Sequence, residues 1–196
     1  MNSMKAVSAS MTGALVPADI YRATAVLVLA FAHDPVARWQ YPDPAQYLRL
    51  FPSFVRAFGG SAVVQETARY VGEHVGAALW LPPGTDLDHA AIEATLPEDR
   101  RAEITAVLEE LSPHHPSEPH WYLPLVGVDP AHQRRGYGAL LLEDTLRRCD
   151  RDHVSACLES TNPANIPLYE RHGFELQGTV QVKSSPPLYP MLRSAR

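Results

Sequence analysis

Glycines and arginines stand side by side at a predicted helix start, a combination that can hold an anion. The segment reads Gln133-Arg134-Arg135-Gly136-Tyr137-Gly138-Ala139. The first N–H groups of a helix have no partner within the helix, and they carry partial positive charge. Glycines let a phosphate come close to these groups, and the arginine side chains add full positive charge. We therefore expect this segment to bind a phosphorylated ligand.

The flanking residues predict a strand before this segment and a helix after it. The run from Trp121 to Val128 is aliphatic and aromatic, and Asp129-Pro130 ends it. Leucines then recur at helical spacing, at positions 140, 141, 142 and 146. A dinucleotide-binding fingerprint needs a glycine where this chain has Leu141, and no G-K-[ST] ends a Walker loop. Both of those nucleotide-binding loops are therefore excluded.

A second segment with residues that could take part in chemistry follows one helix and one strand later. Residues 154–159 are predicted to form a strand, and S-T-N-P-A-N then begins a short helix. Asn162 is suited to cap that helix, with Pro163 at its first position and Gly173 just beyond its end. Tyr169 lies within this helix and carries a hydroxyl that can donate a hydrogen bond.

Together the two segments resemble the signature of the GCN5-related N-acetyltransferases, the GNAT family. Gln133, Gly136 and Gly138 stand in the places of the family's Q/R-x-x-G-x-G/A loop, and N-P-A-N-I-P-L-Y-E-R-H-G-F is similar to its tail motif. The resemblance implies a single α+β domain over residues 1–196, with residues 1–12 as a loose arm. Its central sheet would be mixed but mostly antiparallel, with six to seven strands that splay at the CoA site, flanked by helices.

A looser resemblance concerns the N-terminal half. The segment A-F-A-H-D-P after the first predicted helix, and the proline-rich loop before Trp121, are similar to the branch that includes puromycin N-acetyltransferase. This likeness transfers no substrate to the chain.

The family resemblance implies that acetyl-CoA is the acyl donor and that a primary amine of a small molecule attacks the thioester directly. Backbone groups of residues 126–128 would bind the pantetheine arm, and the Val128 N–H would stabilise the oxyanion. Asn162 or Asn165 would bond the pantetheine amides, and the spacing leaves both open because Asn162 also suits a cap. The residues assigned to the cofactor are Val126, Gly127, Val128, Gln133, Arg134, Arg135, Gly136, Tyr137, Gly138, Ala139, Asn162, Asn165 and Tyr169.

The resemblance makes Tyr169 the group that donates a proton or hydrogen bond to the leaving thiolate, whose thiol has a pKa of about 8.5. Such transfers contribute on the order of 10²–10⁴-fold to rate. Some relatives carry a glutamate six residues before the position of Val128, where this chain has Tyr122. Tyr122 is expected to order a water, and Glu159 or His120 to receive the proton of the amine.

The other elements are predicted from periodicity and from helix and turn signals. They are a short strand near 5–8, helices over 16–32, 44–58 (with a kink or register break at Pro52) and 97–111, a hairpin of strands 62–66 and 75–81, a loop or short helix over 86–93, a strand over 174–182 and an edge strand over 188–192.

Composition indicates which kinds of partner and which cellular compartment to expect. The net charge of −5 does not suggest a nucleic-acid partner and suits a cationic small substrate. The apolar run from Ala23 to Ala32 is too short to span a bilayer and has no export layout, so no membrane partner is expected. Two cysteines, Cys149 and Cys157, give no disulfide framework, which indicates a cytoplasmic protein. A homodimer is possible.

Two alternatives remain at this stage. His114 and His115 suggest a metal site, but no cysteine, aspartate or further histidine stands at ligand spacing around them, so no metal is expected. The competing function is a non-catalytic GNAT-fold module that binds CoA or a partner. Tyr169 favours the enzyme, whereas the lack of a glutamate at position 122 favours the module.

Overall fold

A seven-stranded sheet forms the centre of the molecule in a computed structural model that describes residues 11–196. Its strands lie in the order β1-β2-β3-β4-β5-β7-β6, and β4 and β5 are the one parallel pair among the described residues. The α+β class and the mixed, mostly antiparallel sheet are as predicted. The strands are β1 (Thr12–Ala14), β2 (Arg69–Val71), β3 (Gly76–Leu81), β4 (Trp121–Val128), β5 (Ala156–Ser160), β6 (Glu175–Leu176) and β7 (Tyr189–Arg193).

Eight α-helices flank this sheet in the described part of the chain. They are α1 (Ile20–Phe31), α2 (Pro35–Gln40), α3 (Pro44–Gly59), α4 (Ser61–Val64), α5 (His89–Glu93), α6 (Arg101–Leu111), α7 (Tyr137–Asp152) and α8 (Ile166–Arg171). Short 3-10 turns at Pro17–Asp19 and Pro163–Asn165 lead into α1 and α8. Helix α3 runs through Pro52 as one element.

Alternating side chains of β3 divide the core between the two faces of the sheet. Leu79 and Leu81 pack with the aromatic residues of α3 on one face. Trp80 points the other way and packs with Leu141 and Leu142 of α7. Every residue of β3 is buried, because this strand is covered on both faces. The core therefore holds β4, its neighbour, in a fixed position between the two helical layers.

The sheet opens between β4 and β5. These strands pair only at Trp121 with Ala156 and Tyr122 with Cys157, whereas β4 continues to Val128 beside β3. Beyond Tyr122, β4 therefore presents one edge that no described strand covers. This is the splayed sheet that the family resemblance implies.

A β-bulge changes the direction of the β4 backbone at the start of this opening. The register against β3 shifts between Leu79 and Leu81, opposite the stretch of β4 that contains Pro124. A proline has no N–H for the ladder, and bulges are among the few places where a strand tolerates it.

Two sequence predictions of elements are wrong, and one helix was not predicted. The strand over 62–66 is the short helix α4, and the hairpin instead joins β2 to β3. Helix α2 was not predicted; Asp34 caps it by accepting hydrogen bonds from the N–H groups of Val36 and Ala37. The predicted edge strand over 188–192 is β7, which lies inside the sheet between β5 and β6.

Other boundaries are shorter than predicted. The helix expected over 97–111 begins at Arg101, after a turn. The strand expected over 174–182 contains only β6 and an isolated bridge between Val180 and Leu188. The strand expected near 5–8 lies outside the described residues.

Candidate active site

The predicted anion loop is exposed and open. Residues 133–136 are exposed, and Gly136 has a φ of +83°, a left-handed conformation that glycine adopts without strain. A Cβ at Gly136 would meet no atom within 4 Å. The space beside the loop is therefore free for a ligand.

Helix α7 directs unpaired N–H groups into that space. Its first helical bond runs from the Leu140 N–H to the Gly136 carbonyl, at 3.2 Å, so the N–H groups before Leu140 have no helical partner. Arg134 and Arg135 are both exposed at this end, and the first turn contains no acidic residue. The Gln133 side chain donates to the Val128 carbonyl at 3.1 Å, which fixes the loop to the end of β4.

The open edge of β4 offers the backbone groups of Val126 and Val128. The Asp129 N–H donates to the Val75 carbonyl at 2.8 Å, so the backbone N–H of Asp129 points toward the chain that begins β3. Hydrogen-bonded and non-hydrogen-bonded residue pairs alternate along an antiparallel ladder. The backbone N–H and C=O groups of Gly127 therefore also point to β3, whereas those of Val126 and Val128 point into the opening. Of the three residues predicted to offer backbone groups to the cofactor, Val126 and Val128 therefore direct theirs into the opening and Gly127 directs its own to β3.

Gly127 has a packing role instead. A Cβ at this position would lie 2.5 Å from the Cβ of Ala30, inside van der Waals contact. The missing side chain allows α1 to approach β4 closely.

The two asparagines differ in what their side chains do. Asn162 caps the turn before α8, because its Oδ1 accepts from the Ala164 N–H at 3.0 Å. Asn165 is exposed and does not cap α8. Asn165 therefore has its whole side-chain amide available for a ligand, whereas Asn162 uses its Oδ1 in the cap and has its Nδ2 hydrogens left.

Tyr169 is buried on α8, with its ring edge-on to Phe174 at a centroid distance of 6.1 Å. Burial raises the pKa of its phenol, and the negative charge of Asp34 raises it further. The phenol is therefore protonated at neutral pH and can act as a donor.

Asp34 is a residue near Tyr169 that the sequence did not single out. It is buried, caps α2, and accepts a hydrogen bond from the Thr161 hydroxyl at the end of β5. Burial raises the pKa of its carboxyl, although these hydrogen bonds oppose the shift. The contact joins the turn after α1 to the segment that leads into α8.

On the other side of the opening, Glu159 joins Tyr122 and His115. The Tyr122 hydroxyl donates to Oε2 of Glu159 at 2.8 Å, and Nε2 of His115 donates to Oε1 at 2.7 Å. Hydrogen bonding to Glu159 raises the pKa of His115, while burial and the Glu159 charge raise that of Tyr122. A carboxylate on β5 is thus in direct contact with the tyrosine at position 122.

His120 lies close to this group but does not contact Glu159. Its Nδ1 donates to the Glu118 carbonyl at 2.8 Å, and its ring centroid is 5.7 Å from that of His115. The sequence nominated His120 as a proton acceptor, but the fold places His115 beside the carboxylate. Spacing along the chain could not reveal this, because His115 and Glu159 meet only when β4 and β5 pair.

The comparison with protein families decides the assignment. The acetyltransferase (GNAT) family matches residues 28–174, which include both sequence segments and the open edge of β4. The chain belongs to this family. It is therefore an acyltransferase that uses acetyl-CoA, as the residues of the loop suggested.

Individual relatives of this acetyltransferase are distant in sequence. An uncharacterized N-acetyltransferase of Schizosaccharomyces pombe is 27% identical over 185 residues, which cover 83% of this chain and 73% of that protein. A Corynebacterium glutamicum structure described as histone acetyltransferase HPA2 and related acetyltransferase aligns with a TM-score of 0.69 and 24% identity, over 95% of this chain and 96% of that one.

A third similar structure is the polyamine N-acetyltransferase of Drosophila melanogaster, described as catalysing the formation of N-acetylagmatine. It aligns with a TM-score of 0.60 and 16% identity, over 93% of this chain and 98% of that one. At this level of identity the two structural alignments establish the fold alone.

Two surface cavities of the acetyltransferase lie away from these residues. One, of about 330 Å³, is lined by polar residues that include Arg69, Asp144 and Arg148. The other, of about 530 Å³, lies between the start of α3 and residues 96–101. Neither contains a residue of the predicted cofactor set.

Within residues 11–196, no helix combines the length and apolar character that crossing a membrane requires.

Proposed function

We propose that this enzyme transfers the acetyl group of acetyl-CoA to a primary amine of a small molecule, by direct attack of the amine on the thioester. The observation that carries the proposal is the opening between β4 and β5, with the predicted anion loop at one end. Groups that can donate or accept a proton lie on its two sides, Tyr169 on one and the hydrogen-bonded Tyr122 and Glu159 on the other. The polyamine and agmatine chemistry in the description of the Drosophila structure, together with the net charge of −5, supports a cationic amine as acceptor.

The cofactor would lie along the uncovered edge of β4. The N–H groups at the start of α7, with Arg134 and Arg135, would bind the pyrophosphate. The backbone groups of Val126 and Val128 that face the opening would bond the pantetheine amides and the thioester oxygen. An N–H aimed at a developing oxyanion stabilises the transition state more than the ground state, so the Val128 N–H would accelerate the reaction.

Protons would move on two sides of the thioester. Tyr169, kept protonated by burial and by Asp34, would donate to the thiolate as it leaves. Glu159 would receive the proton of the amine through the Tyr122 hydroxyl or an intervening water, and His115 would hold the carboxylate in place. A cationic amine must lose a proton before it can attack, so this route determines the supply of nucleophile.

A thiol-release assay with acetyl-CoA and a panel of amines tests the proposal. The panel should contain a polyamine, agmatine, an arylalkylamine, puromycin, free amino acids and lysine-containing peptides. We expect release of CoA thiol with at least one small amine, and a product mass that corresponds to its N-acetyl derivative.

Two outcomes would contradict the proposal in different ways. Transfer to peptides alone would overturn the small-molecule acceptor but keep the chemistry. Calorimetric binding of acetyl-CoA without thiol release on any amine would support the non-catalytic module instead.

A further inference from the structure

Three potential metal ligands from separate segments meet beside Glu159. They are one ring nitrogen each of His115 and His120 and Sγ of Cys157, which all lie within 4.8 Å of one another. His115 follows the 3-10 turn after α6, His120 immediately precedes β4, and Cys157 lies on β5 opposite Tyr122. Spacing along the chain does not reveal this cluster, because the parallel pairing of β4 and β5 brings its members together.

The hydrogen bonds of the two imidazoles determine which ring nitrogen of each has a lone pair. Nε2 of His115 lies 2.7 Å from a carboxylate oxygen, which can only accept, so this nitrogen carries the hydrogen and Nδ1 has the lone pair. Nδ1 of His120 lies 2.8 Å from the Glu118 carbonyl, so by the same argument its Nε2 has the lone pair. An oxygen acceptor on the far nitrogen is the arrangement that orients histidines in metal sites.

The distances suit a small divalent ion. Sγ of Cys157 lies 3.8 Å from Nδ1 of His115. In a tetrahedral zinc site with Zn–S of about 2.3 Å and Zn–N of about 2.0–2.1 Å, the S···N separation is about 3.6 Å. The ligand atom of His120 lies within 4.8 Å of the other two, and because His120 is only partly buried at the end of a loop, its ring can move closer to them. Three protein ligands leave a fourth position for water.

We propose that His115, His120 and Cys157 bind a Zn²⁺ ion that fastens the loop before β4 to strand β5. One sulfur and two imidazole nitrogens match zinc, whereas magnesium and calcium prefer oxygen ligands. In the metal-free protein the Cys157 thiol contacts Nδ1 of His115; on binding, the S–H bond breaks, a Zn–S bond forms and one proton leaves to solvent. The Nε2 hydrogen bond from His115 to Glu159 stays in place.

Metal titration of the full chain tests this site without any measurement of activity. The protein is first treated with a chelator and then titrated with Zn²⁺ by calorimetry and with Co²⁺ by absorption. We expect one ion per chain, a near-ultraviolet thiolate-to-cobalt charge-transfer band, and intense visible bands typical of a four-coordinate site.

The chain provides matched controls for the ligands. Cys157→Ala should abolish the thiolate band and weaken Zn²⁺ binding at least tenfold, whereas Cys149→Ala, at the other buried cysteine, should leave both unchanged. His120→Ala should weaken binding, and His114→Ala, beside the proposed ligand His115, should not. His120 is half-exposed, so its variant decides the question if Cys157→Ala does not fold.

Some results would overturn the site. Wild-type protein that binds Co²⁺ without a thiolate band, a band that survives Cys157→Ala, or an unchanged affinity in His120→Ala would exclude these ligands. Because the readout is binding and absorption, failure of the metal site leaves the acetyl-transfer proposal untouched, and the reverse also holds.

Discussion

Gly138 of α7 faces Leu168 of α8 so closely that a Cβ on the glycine would lie 3.1 Å from Cδ2 of the leucine. The start of α7 is therefore packed directly against the residue before Tyr169. This contact sets the distance between the predicted pyrophosphate site and the phenol. A side chain larger than a methyl group at position 138 would crowd Leu168 and strain the packing of the two helices.

Gly138→Val should therefore lower turnover and destabilise the fold by about 1–3 kcal/mol, as overpacking does. Gly138→Ala should have a much smaller effect, because the end of a leucine side chain can move by a few tenths of an ångström. Leu168→Ala in the Gly138→Val background should restore part of the turnover. Thiol-release rates and urea unfolding of the four proteins check this, and equal effects of alanine and valine would contradict it.

Gly136→Ala should reduce acetyl-CoA affinity at least tenfold, because the methyl group enters the open space beside the loop and the backbone leaves its left-handed conformation. A non-glycine residue in that conformation costs roughly 1–2 kcal/mol. Gly84 provides the control, since its φ is +80° and a Cβ there also meets nothing within 4 Å. Gly84→Ala has the same backbone cost outside the loop, and calorimetry should show unchanged affinity.

Tyr169→Phe should reduce turnover by on the order of 10²-fold or more, because the leaving thiolate loses its donor. Acetyl-CoA binding should stay near the wild-type value, since the aromatic ring and its packing against Phe174 remain. Steady-state kinetics and calorimetry on the same preparation separate the two effects. Wild-type turnover in this variant would remove Tyr169 from the mechanism.

Glu159→Gln should reduce the rate by on the order of 10²-fold with a cationic amine, because the amide cannot accept a proton. Tyr122→Phe should act in the same direction, since it removes the hydroxyl that contacts Glu159 at 2.8 Å. Rates at saturating acetyl-CoA with varied amine check this. If both variants keep the wild-type rate, proton removal takes another route.

Asp150→Asn should destabilise the protein by about 1–2 kcal/mol, a range that allows for the partial solvent exposure of Asp150. The Arg193 side chain is only 4% exposed, and both of its terminal nitrogens donate to Asp150 at 2.8 Å. Asp152→Asn is the control, because its pair with Arg148 is exposed and should contribute little. Urea unfolding at pH 7 measures both variants.

The same pair predicts a dependence on pH. The hydrogen bonds from Arg193 lower the pKa of the Asp150 carboxyl. A carboxyl with a lowered folded pKa contributes stability above its unfolded pKa of about 3.9 and loses it as pH falls through the folded value. The difference between wild type and Asp150→Asn should therefore be present at pH 7 and shrink in acid. A constant difference down to the acid transition would contradict this.

Local sequence predicts the parts of the site that local geometry builds. The glycines at 136 and 138, the strand before them and the helix after them lie within one continuous stretch, so spacing alone predicts this strand–loop–helix unit, and the structure contains it. The cap at Asn162 and the helix end at Gly173 are equally local, and both occur as predicted.

Features that depend on strand pairing could not be predicted from the sequence. The direction in which Val126 and Val128 present their backbone groups depends on the register of β4 against β3. The contact between His115 and Glu159 requires β4 and β5 to lie side by side.

The wrong strand over 62–66 has a different cause. A short apolar run suits a buried strand and a buried helix equally, and here Ala62 and Val63 pack in helix α4 below the sheet.

The position of β7 has a consequence for synthesis on the ribosome. Because Tyr189–Arg193 fills the gap between β5 and β6, the edge of β5 stays uncovered until Arg193 has emerged from the exit tunnel. A nascent chain arrested upstream of β7 would expose this edge to other chains, and exposed edges promote aggregation. The second half of the sheet can therefore form only after translation has passed that strand, which makes chaperone capture of the nascent enzyme most valuable at this late stage.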